Sequence, residues 1–254
     1  MLNRISQLSS RALHLAVALP TTETTRIARC LYHYGSLPRG PTIELDFGPG
    51  DGPMAVLGLT LGGVARRKLE AAYDATTYSG WLSFALTSEP VLIKPVCKLY
   101  VSPKPESLAT AFPVIAETFA EMEVCSFKVG RGIEGLLRPD KIISYFDNRS
   151  DLDAVADTLC KRLSGCPTQG VPFTADAGLD GLLSWGIDPP PGTGVRISWR
   201  SWITKRLANE IVKVRPSSDS VAVSAVLNGV TALGVNTATW AADNRCVFSD
   251  GADS

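Results

Sequence analysis

Histidine is almost missing from this chain. Among 254 residues only His14 and His33 carry an imidazole. A histidine-based metal centre or a serine–histidine triad therefore has almost no raw material, and no metal site is expected. No G-x-x-x-x-G-K-[ST] stretch occurs, and no nucleotide or other cofactor is expected. The six cysteines (Cys30, Cys97, Cys125, Cys160, Cys166 and Cys246) include no C-x-x-C pair, which argues against a zinc ribbon or a thioredoxin-type motif. In a chain this long they read as reduced thiols of a cytoplasmic protein. A charge excess is missing too: 25 basic residues balance 25 acidic ones, so no nucleic-acid partner is expected.

Long apolar runs are also scarce. The first twenty residues hold a short apolar patch interrupted by His14, without a clean small-residue cleavage site, which argues against a signal peptide. Ile5, Leu8, Ala12, Leu15 and Leu19 instead fall at helical spacing. The uncharged segment from Val221 to Ala242 is rich in Ser, Asn, Thr and Gly, too polar for a membrane span, and reads as a terminal helix or hairpin packed on the core.

What is present supports a packed core: 45% of residues are hydrophobic and 20% charged. The pattern predicts helix over residues 1–35, a short strand Thr42–Phe47, and a helix over Leu57–Tyr78. Strands are expected at Trp81–Leu86, Val91–Ser102, Val124–Val129 and the tail of LLRPDKIISYF. Leu108, Phe112, Ile115, Phe119 and Met122 mark an amphipathic helix that Pro113 should kink or restart. Ser150 is the expected cap of the next helix, with Leu152, Val155, Leu159 and Leu163 as its buried stripe. The glycines of GRGIEG read as a loop, residues 170–194 as mostly loop, and SWRSWITKRLANEIVKV as a final helix. Strands and helices mix without regular alternation. The expected class is therefore α+β, a twisted, largely antiparallel sheet with helices packed on it. Expected divisions are a mostly helical N-terminal extension over 1–85, serving recognition or dimerisation, a core domain over 86–215, and a C-terminal segment over 216–254.

Three of these strands carry cations where a core strand is normally apolar. In KLYVS, Leu99 and Val101 face one way while Lys98, Tyr100 and Ser102 face the other. In SFKVG, Lys128 faces away from Phe127 and Val129, and in KIISY, Lys141, Ile143 and Tyr145 share a face. If the strands are neighbours, these side chains converge, with Arg138 at a strand entrance. Clustered cations are costly without an anion, and phosphate suits them. The competing reading is a set of solvent-facing or snorkelling side chains, with Arg200 stacked between Trp199 and Trp202.

The order K-x-[aromatic or imidazole]-x-S, helix, F-K, loop, then Arg or Lys before a strand ending in Tyr resembles the phosphothreonine lyase superfamily. That superfamily includes type III effector lyases, the lyase domains of class III and IV lanthipeptide synthetases, and stand-alone effector-like lyases of ribosomal-peptide clusters. The resemblance spans residues 90–210. It implies β-elimination of phosphate from phosphoserine or phosphothreonine, without metal or cofactor, on a peptide phosphorylated by a separate kinase. It implies Lys128 as the base at Cα and Lys98 as stabiliser of the enolate-like carbonyl. Arg138, Lys141 and Tyr145 would hold the phosphate, completed by Arg200 or else Arg206. Tyr100 stands where many relatives have a histidine that protonates the leaving phosphate; with an ordinary pKa near 10, a phenol is a weaker acid. Two readings remain open, a phosphopeptide lyase and a non-catalytic peptide- or partner-binding scaffold that kept the sheet. No membrane partner is expected, and a homo-oligomer is compatible with either.

Overall fold

The computed structural model describes residues 3–88, 97–189, 197–214 and 219–243. In chain order it runs α1 (Arg4–Val17), α2 (Thr24–His33), α3 (Pro41–Phe47), α4 (Gly52–Val56), α5 (Val64–Glu70), β1 (Tyr73–Tyr78), β2 (Trp81–Leu86) and β3 (Cys97–Val101). A 3-10 turn at Pro105–Ser107 leads into α6 (Leu108–Glu121), then β4 (Ser126–Gly130), α7 (Ile133–Leu137), β5 (Ile142–Phe146) and α8 (Arg149–Arg162). The chain ends with β6 (Ala175–Gly178), β7 (Leu183–Ile187), α9 (Trp199–Val214), α10 (Asp219–Ala232) and the two-residue strands β8 (Val235–Asn236) and β9 (Ala241–Ala242). No helix among the described residues is long and apolar enough to cross a membrane.

The fold is α+β, as the pattern predicts. Seven strands form one sheet in the order β1-β2-β4-β5-β3-β7-β6, and the pairs β1/β2, β2/β4, β4/β5 and β5/β3 are all antiparallel. β1 and β2 belong to the sheet although they fall within the expected N-terminal extension. By its contacts the chain divides into two compact units. One comprises residues up to Tyr34, Pro172–Asp176 and the chain from Gly186 onward; the other comprises Gly35–Val171 and Ala177–Trp185.

The first unit is helical. Ile5 and Leu13 of α1, Ile27 and Leu31 of α2, Ile203, Leu207 and Ile211 of α9, and Val226 and Val230 of α10 make one apolar core. Leu15, part of the expected stripe, is exposed instead. Phe173 holds a left-handed backbone, φ 62°, unusual for an aromatic residue. Its N–H donates to Ser9 Oγ and its carbonyl accepts from the Trp199 indole, both at 2.8 Å, so the two flanking contacts hold that conformation.

In the second unit, one face of the sheet is sealed by helices. Phe127 of β4 stacks on Phe84 of β2 at 4.6 Å and meets Phe119 of α6 at 5.0 Å. The buried Tyr73 donates to the carbonyls of Phe119 and Val124, and burial raises its pKa. α6 is a single helix with Pro113 inside it, and Leu108, Phe112, Ile115 and Phe119 are its buried stripe, as the spacing predicts.

Three local expectations are corrected. Thr42–Phe47 is helix, not strand: Pro41 sits at the helix start, where its fixed φ is pre-set, and Gly48 at φ 72° ends it. Residues 73–78 are strand, not helix. The Ser79-Gly80 pair has positive φ at both positions, 47° and 80°, and joins Tyr78 to Trp81 as a two-residue hairpin whose twist suits antiparallel strands. Within residues 170–194, the described part contains β6 and β7. Val91–Val96, expected as the first part of the β3 strand, lies outside the described residues.

The cap of α8 is also displaced. Asn148, not Ser150, is the N-cap, and its side chain accepts from the Asp151 N–H at 2.9 Å. Asn148→Ala should lower the unfolding free energy by about 1 kcal/mol, whereas Ser150→Ala should change it by roughly 0.5 kcal/mol or less. Urea denaturation of the two variants beside the parent checks this; equal effects would contradict the cap assignment.

Candidate active site

The candidate site follows from strand register. On β5, Ile143 is paired with Tyr100 on one side and Lys128 on the other, while Tyr145 is paired with Lys98 and Ser126. Across β2, Ser83 is paired with Lys128 and Trp81 with Gly130. Directly paired residues point to the same face. Lys98, Tyr100, Lys128, Ile143, Tyr145 and Trp81 therefore share one face, and Leu99, Val101, Phe127, Val129 and Ile142 share the other. The second set is buried beneath the helices.

On the polar face, cations lie over aromatic rings. Lys98 Nζ is 5.2 Å and Lys128 Nζ 5.8 Å from the centre of the Tyr145 ring. Lys128 Nζ lies still nearer the Trp81 ring, at 4.3 Å, and the Arg138 guanidinium is 5.1 Å from that indole. Ring faces carry negative potential, which offsets part of the cost of gathering three cations on one face. Lys98 is only 8% exposed, so this compensation matters. Tyr100, 1% exposed, packs with Ile143 and Val171, flanked by Trp81 and Tyr145.

Two participants were not foreseen. Trp81 is the shelf shared by Lys128 and Arg138; the sequence shows it only as the first residue of a strand, with nothing to say which ring the lysine would meet. Asp140 is buried and takes the Arg138 fork bidentately, Nε to Oδ1 at 2.8 Å and Nη2 to Oδ2 at 2.9 Å. The R-P-D spacing could have signalled this pair. Asp140 occupies two of the five guanidinium N–H groups and fixes the plane of the fork.

Lys141 has a different setting. It is fully buried, and its ammonium donates to Pro103 O at 2.8 Å and Gln169 Oε1 at 2.5 Å. Gln169 in turn donates to Gly35 O and Leu137 O, so the lysine joins a network that ties loop backbone to the start of β5. Burial pushes its pKa down to about 7, against the opposite pull of Asp140 and Glu106. Arg200 belongs to the helical unit. It is buried, donates from Nη2 to Tyr32 O at 2.6 Å, and lies 4.6 Å over the Tyr32 ring rather than between two tryptophans. Arg206, the alternative, lies 5.7 Å over Trp202.

The GRGIEG stretch is more than a loop. Residues Gly130–Gly135 have the spacing G-x-G-x-x-G, follow a strand and lead into α7. A dinucleotide fold would need a parallel β-α-β unit. Here β4 is antiparallel to both neighbours and α7 has five residues, so the glycines have another cause. A Cβ on Gly130 would clash with the backbone of Gly135, and the reverse holds too: the spacing lets the helix fold directly back on the strand end. Among the described residues, no group of three or more His, Cys, Asp or Glu side chains is placed to hold a metal ion.

The state of Lys141 predicts a pH dependence. Its folded pKa lies below its unfolded value, so between about pH 7 and 10 the unfolded chain binds a proton that the folded chain lacks. Raising pH through that window should stabilise the fold by up to ~1.4 kcal/mol per unit, and below pH 7 the effect should be flat. Comparing unfolding free energies of the parent and Lys141→Met at pH 6, 7, 8 and 9 isolates this slope; parallel curves would show that Lys141 does not titrate there.

No protein-family model and no curated protein sequence matches the chain. Solved structures do match. The effector protein from Pseudomonas syringae pv. tomato strain DC3000 superposes with a TM-score of 0.56 at 12% identity, covering 95% of this chain and 99% of that one. The effector protein from Pseudomonas syringae pv. syringae strain 61 gives 0.51 at 12% identity, with 94% and 99% covered. The type III effector/phosphothreonine lyase OspF from Shigella flexneri matches at 0.39 and 9% identity, over 69% of this chain and 86% of that one. The chain shares with the two Pseudomonas syringae proteins a fold that runs nearly the full length of each.

Proposed function

We propose that this protein is a phosphoserine/phosphothreonine lyase that β-eliminates phosphate from a phosphorylated peptide, leaving a dehydroamino acid. The observation that carries the reading is the gathering of Lys98, Lys128 and Arg138 on and around one sheet face, each cation over an aromatic ring. Such a face suits a dianion beside a group that must lose a proton.

In the proposed step, Lys128 takes the Cα proton of the phosphorylated residue. The electron pair moves into a new Cα–Cβ double bond, and the Cβ–O bond breaks with its electrons leaving on phosphate. Lys98 lies against the peptide carbonyl and stabilises the enolate-like charge that develops there. Arg138, held in one plane by Asp140, meets the phosphate. Tyr100 is the candidate donor of a proton to the departing phosphate. Tyr145 orients both lysines through its ring. Lys141 has a structural part in this scheme, bracing the backbone from which β5 starts. The substrate is most simply a precursor peptide phosphorylated by a separate kinase.

One observation favours the scaffold reading as a second possibility: Tyr100 is 1% exposed and packed against apolar neighbours, a setting that suits a core phenol as well as an acid.

Purified protein should remove the mass of phosphoric acid from a phosphothreonine or phosphoserine peptide, in the presence of a chelator, as read by mass spectrometry. Lys128→Ala should slow this by roughly 10²–10⁴-fold, the range expected for loss of a positioned base. Tyr100→Phe should slow it comparably if the phenol is the acid, and leave it unchanged if the ring is only packing. Loss of the phosphoryl group with the hydroxyl restored would mean a phosphatase and sink the lyase chemistry. Binding of phosphopeptides without any conversion would favour the scaffold.

A further inference from the structure

Within the helical unit, α2 and α9 enclose a groove of about 670 Å³. α2 contributes a stripe from Thr24 to His33, and α9 one from Ser201 to Asn209. The floor is made of small side chains. Ala28 and Thr204 are buried there, and Thr204 Oγ1 turns back to donate to Arg200 O at 2.7 Å. Arg29 and Lys205, both exposed, stand one on each helix. Among the described residues no carboxylate lines the groove, and neither Arg29 nor Lys205 has an ion-pair partner.

The charge here is unlike that of the chain. The whole sequence balances 25 basic residues with 25 acidic ones, but α2 and α9 hold six arginines and lysines and one acid, Glu210. Glu210 is bonded by Lys213 at 2.7 Å and lies against Gly229 of α10, away from the groove. Glu23, which precedes α2, accepts from Thr25 Oγ1 at 2.7 Å and does not line the groove either. The buried Arg200 guanidinium, 4.6 Å from the centre of the Tyr32 ring, adds another positive charge beside the lining.

Resting on the lyase reading, we propose that this groove binds an acidic, extended segment of the substrate peptide other than the phosphorylated residue. A floor of small side chains lets a main chain approach closely. The hydroxyls and amide of Thr24, Ser201 and Asn209 can bond its backbone, and a cation on either wall suits its carboxylates. From Thr24 to His33 the stripe rises about 13 Å, which an extended peptide covers in about four residues. A narrow groove of that length fits one chain, whereas a membrane surface calls for a flat basic face. A segment held there raises the local concentration of the phosphorylated residue and takes no part in bond breaking, so its effect falls on KM.

Fluorescence anisotropy tests the groove with an unphosphorylated Gly/Ser peptide carrying four Asp and Glu residues, beside the same peptide with Asn and Gln. The acidic peptide should bind at least about tenfold more tightly. Arg29→Glu or Lys205→Glu should weaken it about tenfold. Arg11→Glu, an exposed reversal on α1 outside the groove, should change it less than about twofold; thermal unfolding checks that all three variants fold. Equal binding of the two peptides, or equal weakening by Arg11→Glu, would overturn the groove. Tighter binding of a single-stranded oligonucleotide, or of vesicles rich in anionic lipid, lost in Arg29→Glu, would assign it to another partner and overturn the proposal too. The acidic segment is then joined to a phosphothreonine peptide through Gly/Ser linkers of different lengths. At the best length it should lower KM about tenfold, and Arg29→Glu should abolish the ratio of KM with and without the segment. A segment that binds but never lowers KM would overturn its assignment to the substrate and leave the lyase intact. If no phosphopeptide is converted, the lyase reading fails instead, and anisotropy decides the groove: acid-dependent binding lost in Arg29→Glu supports it, and binding that ignores the acids overturns it.

Discussion

Phe127 is buried against Phe84 and Phe119, and its neighbours Leu99, Val129 and Ile142 are buried on the same side of the sheet. Because strand side chains alternate, burying that set obliges Lys98, Lys128 and Tyr145 to face the other way. A slip of one residue in β4 against β5 would put Lys128 into the aromatic cluster and Phe127 on the polar face, exchanging an apolar contact for a buried charge. The hydrophobic row thus sets the register, and the register sets the site. β5 is central to this arrangement, since each of its polar-face residues is paired on both sides.

The polar face then has an electrostatic problem to solve, and it does so in more than one way. Lys98 and Lys128 lie over rings whose faces carry negative potential. Arg138 is matched by a buried carboxylate in a bidentate fork. Lys141, enclosed completely, is held by two oxygen acceptors and has its charge suppressed toward neutral pH by burial.

The helical unit is organised differently. Its core joins aliphatic side chains to the buried rings of Phe173, Trp199, Trp202 and Trp240, and the buried cation Arg200 is engaged by the backbone and ring of Tyr32. The hydrogen bonds that hold Phe173 at positive φ join three distant parts of the sequence within this unit, α1, the 172–176 segment and α9. The chain leaves this unit after Tyr34 and returns to it twice, at Pro172 and at Gly186.

The sequence by itself determined the class of the fold and most of its elements, since apolar spacing at periods of two and 3.6 is a local property. The stripes of α6 and α8, the strands at Trp81–Leu86 and Ile142–Phe146, and the alternation of Lys98 with Leu99 and of Lys128 with Phe127 were all legible. So was the resemblance that singled out those lysines. Short elements dominated by turn chemistry were not: Pro41 and Gly48 made a helix of an alternating stretch, and the Ser79-Gly80 turn paired Tyr73–Tyr78, expected as the end of a helix, with β2. Only the tertiary structure decided which cations meet. That Lys98 and Lys128 share Tyr145, that Trp81 underlies Lys128 and Arg138, that Asp140 takes the Arg138 fork, and that Lys141 is engaged by loop backbone all depend on pairings between strands remote in sequence. Alternation says which side chains share a face of one strand; only register and packing say what stands opposite them.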